Sequence, residues 1–249
     1  MIVIALVVAE AEVIVSRKYQ AFMRNNKIVL FRIFIFDILS LIFFELYFKY
    51  MFTYDKQIDI DNWERIVTNG TKYGHKFPSK YNITQKDIAI AKGKALEFQN
   101  IWNKYKKTFE ERIVIIYKHR LPKGCKFFVN TSPYSYFNVE QNYISISAKC
   151  KKNRIVPITI HEASHLLFKK YYSNYCKDIG CCEKEIDIIK ELVTVITDDV
   201  FSPMQDGGWE CHMQYRKQVL KAWKTSRDLN FVIKYSKELL NNSCHDLNV

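Results

Sequence analysis

Glycine and proline are scarce in this 249-residue chain, with 7 and 5 copies. So few turn-formers exclude collagen-like, linker-like and many-turned all-β architectures and favour long helices. No fixed-period repeat of the solenoid kind is present, and no low-complexity tract separates the segments. The 7 cysteines are odd in number and match no four-ligand structural zinc spacing. A chain of this size has no need of disulfide staples, so a reducing, cytoplasmic compartment fits best. Cys176, Cys181 and Cys182 read as loop cysteines, with a disulfide or a second metal site as alternatives.

What is present is an ordinary core-forming composition, 48% hydrophobic, with a formal net charge of +12. The length suits one domain with an appendage or two small ones. The cations are mostly scattered lysines, densest at Lys104 to Lys107 and Lys149 to Arg154. A nucleic-acid footprint would need such clusters to share one face with interleaved aromatics; a charge run is usually a solvated face, so nucleic acid is not the expected partner.

The N-terminal third supports two readings. Residues 1–15 (MIVIALVVAEAEVIV) lack a positive leader and carry Glu10 and Glu12, a strand rather than a signal peptide. Residues 28–46 (IVLFRIFIFDILSLIFFEL) are long enough to cross a bilayer, but Arg32, Asp37 and Glu45 interrupt them. The insertion free energies of about −0.5 kcal/mol per apolar residue and about +3 for a central Asp nearly cancel. A buried helix with charges at its rim is one reading, and a membrane anchor is the other. Initiation at Met51 would remove the region altogether. Lys56 to Lys80, with Gly70, Gly74 and Pro78, reads as a polar connection. The expected division is therefore 1–80 as apolar region and connection, and 81–249 as the functional domain.

Thr84 and Asp87 form a capping-box pattern, and Ile88, Ala91, Ala95, Phe98, Trp102, Tyr105 and Phe109 then recur at helical steps. This helix either continues to Tyr117 or yields to a strand at IVIIY. CKFFVNTS (125–132) and NYISISAK (142–149) are expected as two adjacent strands; the second alternates, with Ile144, Ile146 and Ala148 opposite Tyr143, Ser145 and Ser147. Pro157 then introduces the helical run ITIHEASHLLFKKYY. The fold class expected is α+β and helix-dominated.

The motif HEASH carries the chemistry. Residues four apart on a helix differ by about 40° around the axis, so His161 and His165 point the same way, one turn apart, as a metal clamp requires. Glu162 lies about 100° round, able to reach water at the metal's open position without being a ligand. Downstream, EKEIDIIKELVTVITDDVF reads as one helix on which Glu191 shares a face with Ile188, Leu192 and Val195, where an unpaired carboxylate is costly and a metal would remove the cost. Glu185 is the competing third ligand, but its place in the first turn is explained by the helix dipole.

HEASH in this setting resembles the zincin metallopeptidases, in the branch whose third ligand is a glutamate on a following helix. The resemblance spans roughly residues 125–215 and rests on ITIHEASHLLF. It implies a small sheet packed on an active-site helix, one zinc ion per chain held by His161, His165 and Glu191, and a peptide or protein substrate. Glu162 would then be the general base, and NYISISAK the edge strand that pairs with an extended peptide. That branch places an Asp four residues beyond its ligand, where this chain has Val195; Thr194, Asp198 or Asp199 are left as acceptors for a ligand histidine. His212, and after it Tyr215, are the candidate donors to the carbonyl oxygen that gains charge in hydrolysis. A deformylase-like site with a ligand cysteine near Gly124-Cys125, and a zinc-stabilised binding protein without turnover, are the rival expectations.

Overall fold

The computed structural model describes residues 51–70, 81–201 and 213–243. The expectations for residues 1–15 and 28–46 and for His212 lie outside the described residues. The chain divides at residue 50, and the described elements all belong to the second compact unit, Tyr50–Val249. The chain is α+β and helix-dominated, with one small mixed sheet. No helix among the described residues is long and apolar enough to cross a membrane.

Strand β1 (Phe52–Thr53) leads into α1 (Lys56–Gly70), and α2 (Gln85–Trp102) and α3 (Lys106–Tyr117) follow. The capping box that opens α2 is formed: the Asp87 amide donates to the Thr84 hydroxyl, and the Thr84 amide donates to the Asp87 carboxylate. IVIIY belongs to α3, separated from α2 by a break at residues 103–105, and its Ile113, Ile116 and Tyr117 are buried at helical spacing. Strands β2 (Lys126–Asn130), β3 (Tyr136–Asn138) and β4 (Tyr143–Ser147) complete the sheet in the order β1-β2-β4-β3.

Two expectations are corrected here. NYISISAK is not an edge strand: β4 pairs in parallel with β2, Phe127 opposite Ile144, and antiparallel with β3, Phe137 opposite Ile144. The edge next to the motif helix is instead β3, which lies between the two expected strands. Nor is 56–80 a polar connection, since its first half is α1, seated on the sheet. Asp59 of α1 accepts from the Thr131 amide at 2.9 Å, and Asn62 donates to Ser145 at 3.0 Å. With β1 paired to β2 as well, β1 and α1 lie in the same compact unit as the motif, Tyr50–Val249.

The sheet separates two environments. Phe127, Val129, Ile144 and Ile146 turn into the main core, where Phe52, Phe98 and Trp102 pack on Phe127 or on one another. Ser145 turns the other way, toward α1. The motif helix α4 (Ile155–Asp178) packs across β3 and β4 on the core side. Pro157 lies in its first turn, where the missing N–H had no intrahelical partner to lose.

Gly180, with φ of 82°, ends α4 in the left-handed conformation that favours glycine, and the Cys181 amide donates to the Cys176 carbonyl. The reversal lays α5 (Glu183–Val193) back along α4. The expected single downstream helix is two, because the chain turns at Thr194 before α6 (Val195–Val200). Helices α7 (Met213–Ser226) and α8 (Leu229–Ser243) close the unit, with Trp223, Val232 and Ile233 buried.

Candidate metal centre

The helical turn from 161 to 165 places the two imidazoles together, ring centroids 4.2 Å apart and nearly perpendicular. Across the α4–α5 contact, Glu191 meets both. Its Oε1 is 3.3 Å from His165 Nε2, and its Oε2 is 3.8 Å from His161 Nε2. The ligand atoms of all three side chains lie within 4.8 Å of one another, and the group can hold a metal ion. Glu162 follows His161 on the helix and is buried, 8% exposed.

The donor set suits an ion. Two imidazole nitrogens and one carboxylate match the three-ligand pattern of catalytic sites for a borderline divalent metal. Glu191 Oε2 is buried and has no hydrogen-bond partner, a costly state that coordination would relieve.

The electrostatics of the group come from burial, from the imidazoles and from one lysine. Burial is the largest influence on His165 and pushes its imidazole down to about 3, with the His161 charge acting in the same direction. His165 is therefore neutral at ordinary pH, ready to offer a lone pair. Burial alone would raise the Glu191 carboxyl, but the imidazoles and Lys190 more than offset it and hold it below the usual carboxylate range. The Lys190 ammonium, 3.2 Å from Oε1, adds to the influence of the imidazoles on the Glu191 carboxylate. Lys190 also lies over the Phe137 ring at 5.3 Å, and Phe137 is 5.4 Å from the His165 ring.

Lys190 and Phe137 were not singled out from the sequence. Lys190 had a signal, its adjacency to Glu191, but Phe137 had none beyond lying in an aromatic loop. A third unforeseen residue is Arg65 of α1, whose guanidinium stacks on the Tyr136 ring of the edge strand. Burial lowers its pKa to about 10, while the charges of Tyr143 and Glu162 oppose that shift.

The remaining candidates are not in the cluster. Glu185 accepts from the Cys182 amide at 2.7 Å, closing a capping box at the start of α5. Cys125 is buried, its thiol pushed up to about 12 by that burial, and Glu191 rather than this cysteine completes the group. The residues expected to accept a hydrogen bond from a ligand histidine have other partners. Thr194 donates to the Glu191 carbonyl at 2.7 Å and accepts from Arg216, Asp198 pairs with Arg216 at 3.4 Å, and Asp199 pairs with Arg227 at 2.6 Å. His165 Nδ1 is buried with no hydrogen-bond partner. Tyr215 packs against the core. Cys176 and Cys181 are buried free thiols, and Cys182 is an exposed one.

Comparison of the chain with family models, with curated proteins and with solved structures returns no match. The functional reading therefore rests on the geometry of the cluster itself.

Proposed function

We propose that this chain is a zinc-dependent metallopeptidase of the zincin type, with one zinc ion held by His161, His165 and Glu191. The observation that carries the reading is that two imidazoles one helical turn apart meet a carboxylate from a second helix, with ligand atoms within 4.8 Å and Glu162 buried beside them. Core histidines that shared the spacing by accident would have no reason to converge on a buried carboxylate.

When bound, zinc supplies Lewis-acid polarisation of the substrate carbonyl and lowers the pKa of water. The chain's own residues do the rest. Glu162 takes the proton from the attacking water and passes it to the departing amine. The neutral His165 ring and the ionised Glu191 keep the ligands in the protonation states that binding needs. The edge strand β3, whose Phe137 packs on His165, offers main-chain groups to an extended peptide. A zincin-like arrangement, with the active-site helix beneath a sheet whose edge binds the peptide, is supported by the packing of α4 across β3 and β4.

The test is a matched pair of zinc-loaded proteins, wild type and Glu162→Gln, on one peptide library with and without chelator. The amide cannot accept the proton, so cleavage should fall at least about a hundredfold with zinc content unchanged. Equal cleavage by both forms would remove the catalytic role of the motif. A zinc-stabilised binding protein would show metal but no cleavage by either form.

A further inference from the structure

Successive residues of a strand turn to opposite faces, and β3 does this at the metal centre. Phe137 pairs with Ile144 and faces His165, whereas Tyr136 pairs with Ser145 and faces α1, where Arg65 covers its ring. Among the described residues β3 pairs only with β4, so no described strand occupies its outer edge. A peptide laid along that edge would send alternate side chains to the metal side and to the Arg65 side. Arg65 is half-buried, and among the described residues no carboxylate lies within ion-pair distance of it. A guanidinium held over an aromatic face, partly desolvated and with no carboxylate at ion-pair distance among the described residues, is preorganised for a carboxylate.

We propose that Arg65 is a specificity residue that recognises a carboxylate of the substrate, presented on the Tyr136 side of the edge strand within a residue or two of the cleaved bond. The proposal rests on the peptidase reading above and names its substrate class, peptides with an acidic side chain or a free C-terminus at that position. The influence of Glu162 on Arg65 is consistent with this placement beside the proton-transfer group.

The test measures binding, so that it does not depend on turnover. Fluorescein-labelled extended peptides, identical except for one Glu/Gln exchange moved along the sequence, are titrated by anisotropy against the zinc-loaded full chain in the Glu162→Gln form. A C-terminal acid/amide pair separates the terminal carboxylate from the side chain. At one position the acid should bind at least about tenfold more tightly than its amide, as a charge-assisted pair affords. In that background Arg65→Met should bring the ratio close to one, Arg65→Lys should keep part of it, and Arg65→Glu should reverse it. Thermal melts accompany each variant; if the Met variant does not fold, the Lys and Glu variants decide.

A preference that is absent, or that survives both Arg65→Met and Arg65→Glu, overturns the proposal and leaves the peptidase reading intact if the wild type cleaves. A preference that tracks Arg65 while no form cleaves supports the proposal and removes the peptidase reading. Failure of every peptide to bind overturns both.

Discussion

The two glutamates of α5 make a matched pair for testing which one holds the metal. Glu191 reaches both histidines, at 3.3 and 3.8 Å. Glu185 accepts the Cys182 amide at the helix start. Replacing Glu191 with alanine removes one of three ligands, and since loss of a mere supporting group costs 10- to 100-fold in metal affinity, about a hundredfold is a lower bound here. The same change leaves the Lys190 ammonium, its side chain 13% exposed, without the carboxylate 3.2 Å away. Breaking a buried pair costs about 3–5 kcal/mol, but Lys190 retains some access to water, so about 2 kcal/mol is expected for the metal-free protein. Glu185→Ala loses a cap and should cost about 1 kcal/mol with zinc affinity little changed.

Competition with a chromophoric chelator reads the affinity of each variant, and urea unfolding of the chelated protein reads its stability. Glu191→Gln keeps the shape and removes only the charge, so it separates coordination from packing. Its zinc affinity should fall nearly as far as that of the alanine form. If Glu185→Ala sheds zinc while Glu191→Ala retains it, the assignment of the third ligand is wrong.

Removing either imidazole, by His161→Ala or His165→Ala, should abolish the single zinc measured by metal analysis of the purified chain; retention of zinc by both would refute the cluster. The metal-free protein should lose stability on acidification: the buried His165 resists protonation down to about 3 while the unfolded chain takes up a proton near 6.5, so below that pH the unfolded state binds more protons. The slope should be about 1.4 kcal/mol per pH unit between pH 6.5 and 4.5, and Glu191, depressed in the folded state, adds to the loss below its ordinary range. Urea midpoints that are flat across that window would contradict a neutral His165. Arg216→Met should destabilise by about 3 kcal/mol in urea unfolding, since this buried guanidinium joins Thr194 at the α5–α6 turn to Asp198.

The parts of the site that were legible in the sequence are those written by local period. The four-residue step of HEASH and the position of Glu191 on an apolar face both follow from helix geometry, as does the place of Glu185 in a first helical turn. The partners that complete the electrostatics arrive from far away. Arg65 comes from α1, more than seventy residues from the edge-strand tyrosine on which it rests, and no local pattern marks it. Asp198, expected as an acceptor for a ligand histidine, pairs instead with Arg216 of α7, which also comes from a separate element.

The two fold errors have one physical cause. Tyr143, Ser145 and Ser147 alternate with isoleucines and suggest a strand with one wet face, whereas all five residues of β4 are buried. The polar face is satisfied from within: Ser145 accepts from Asn62 and from Asn130, and Ser147 donates to the Ser132 carbonyl. Helix α1 is the other half of the same layer, burying Asp59 and Asn62 instead of an apolar stripe. A segment that packs through polar residues carries no hydrophobic period, so it reads as a connection. That polar layer has a consequence for the site. It seats α1 on the sheet, and α1 in turn carries Arg65 to Tyr136, so the proposed selectivity depends on side chains that contact neither metal nor substrate. Replacing Asn62 with leucine, which leaves Ser145 with only the Asn130 amide and removes one of the bonds that seat α1 on the sheet, should therefore weaken the acidic preference along with stability, and Asn62→Asp, which keeps an acceptor but loses the donated bond, should fall between.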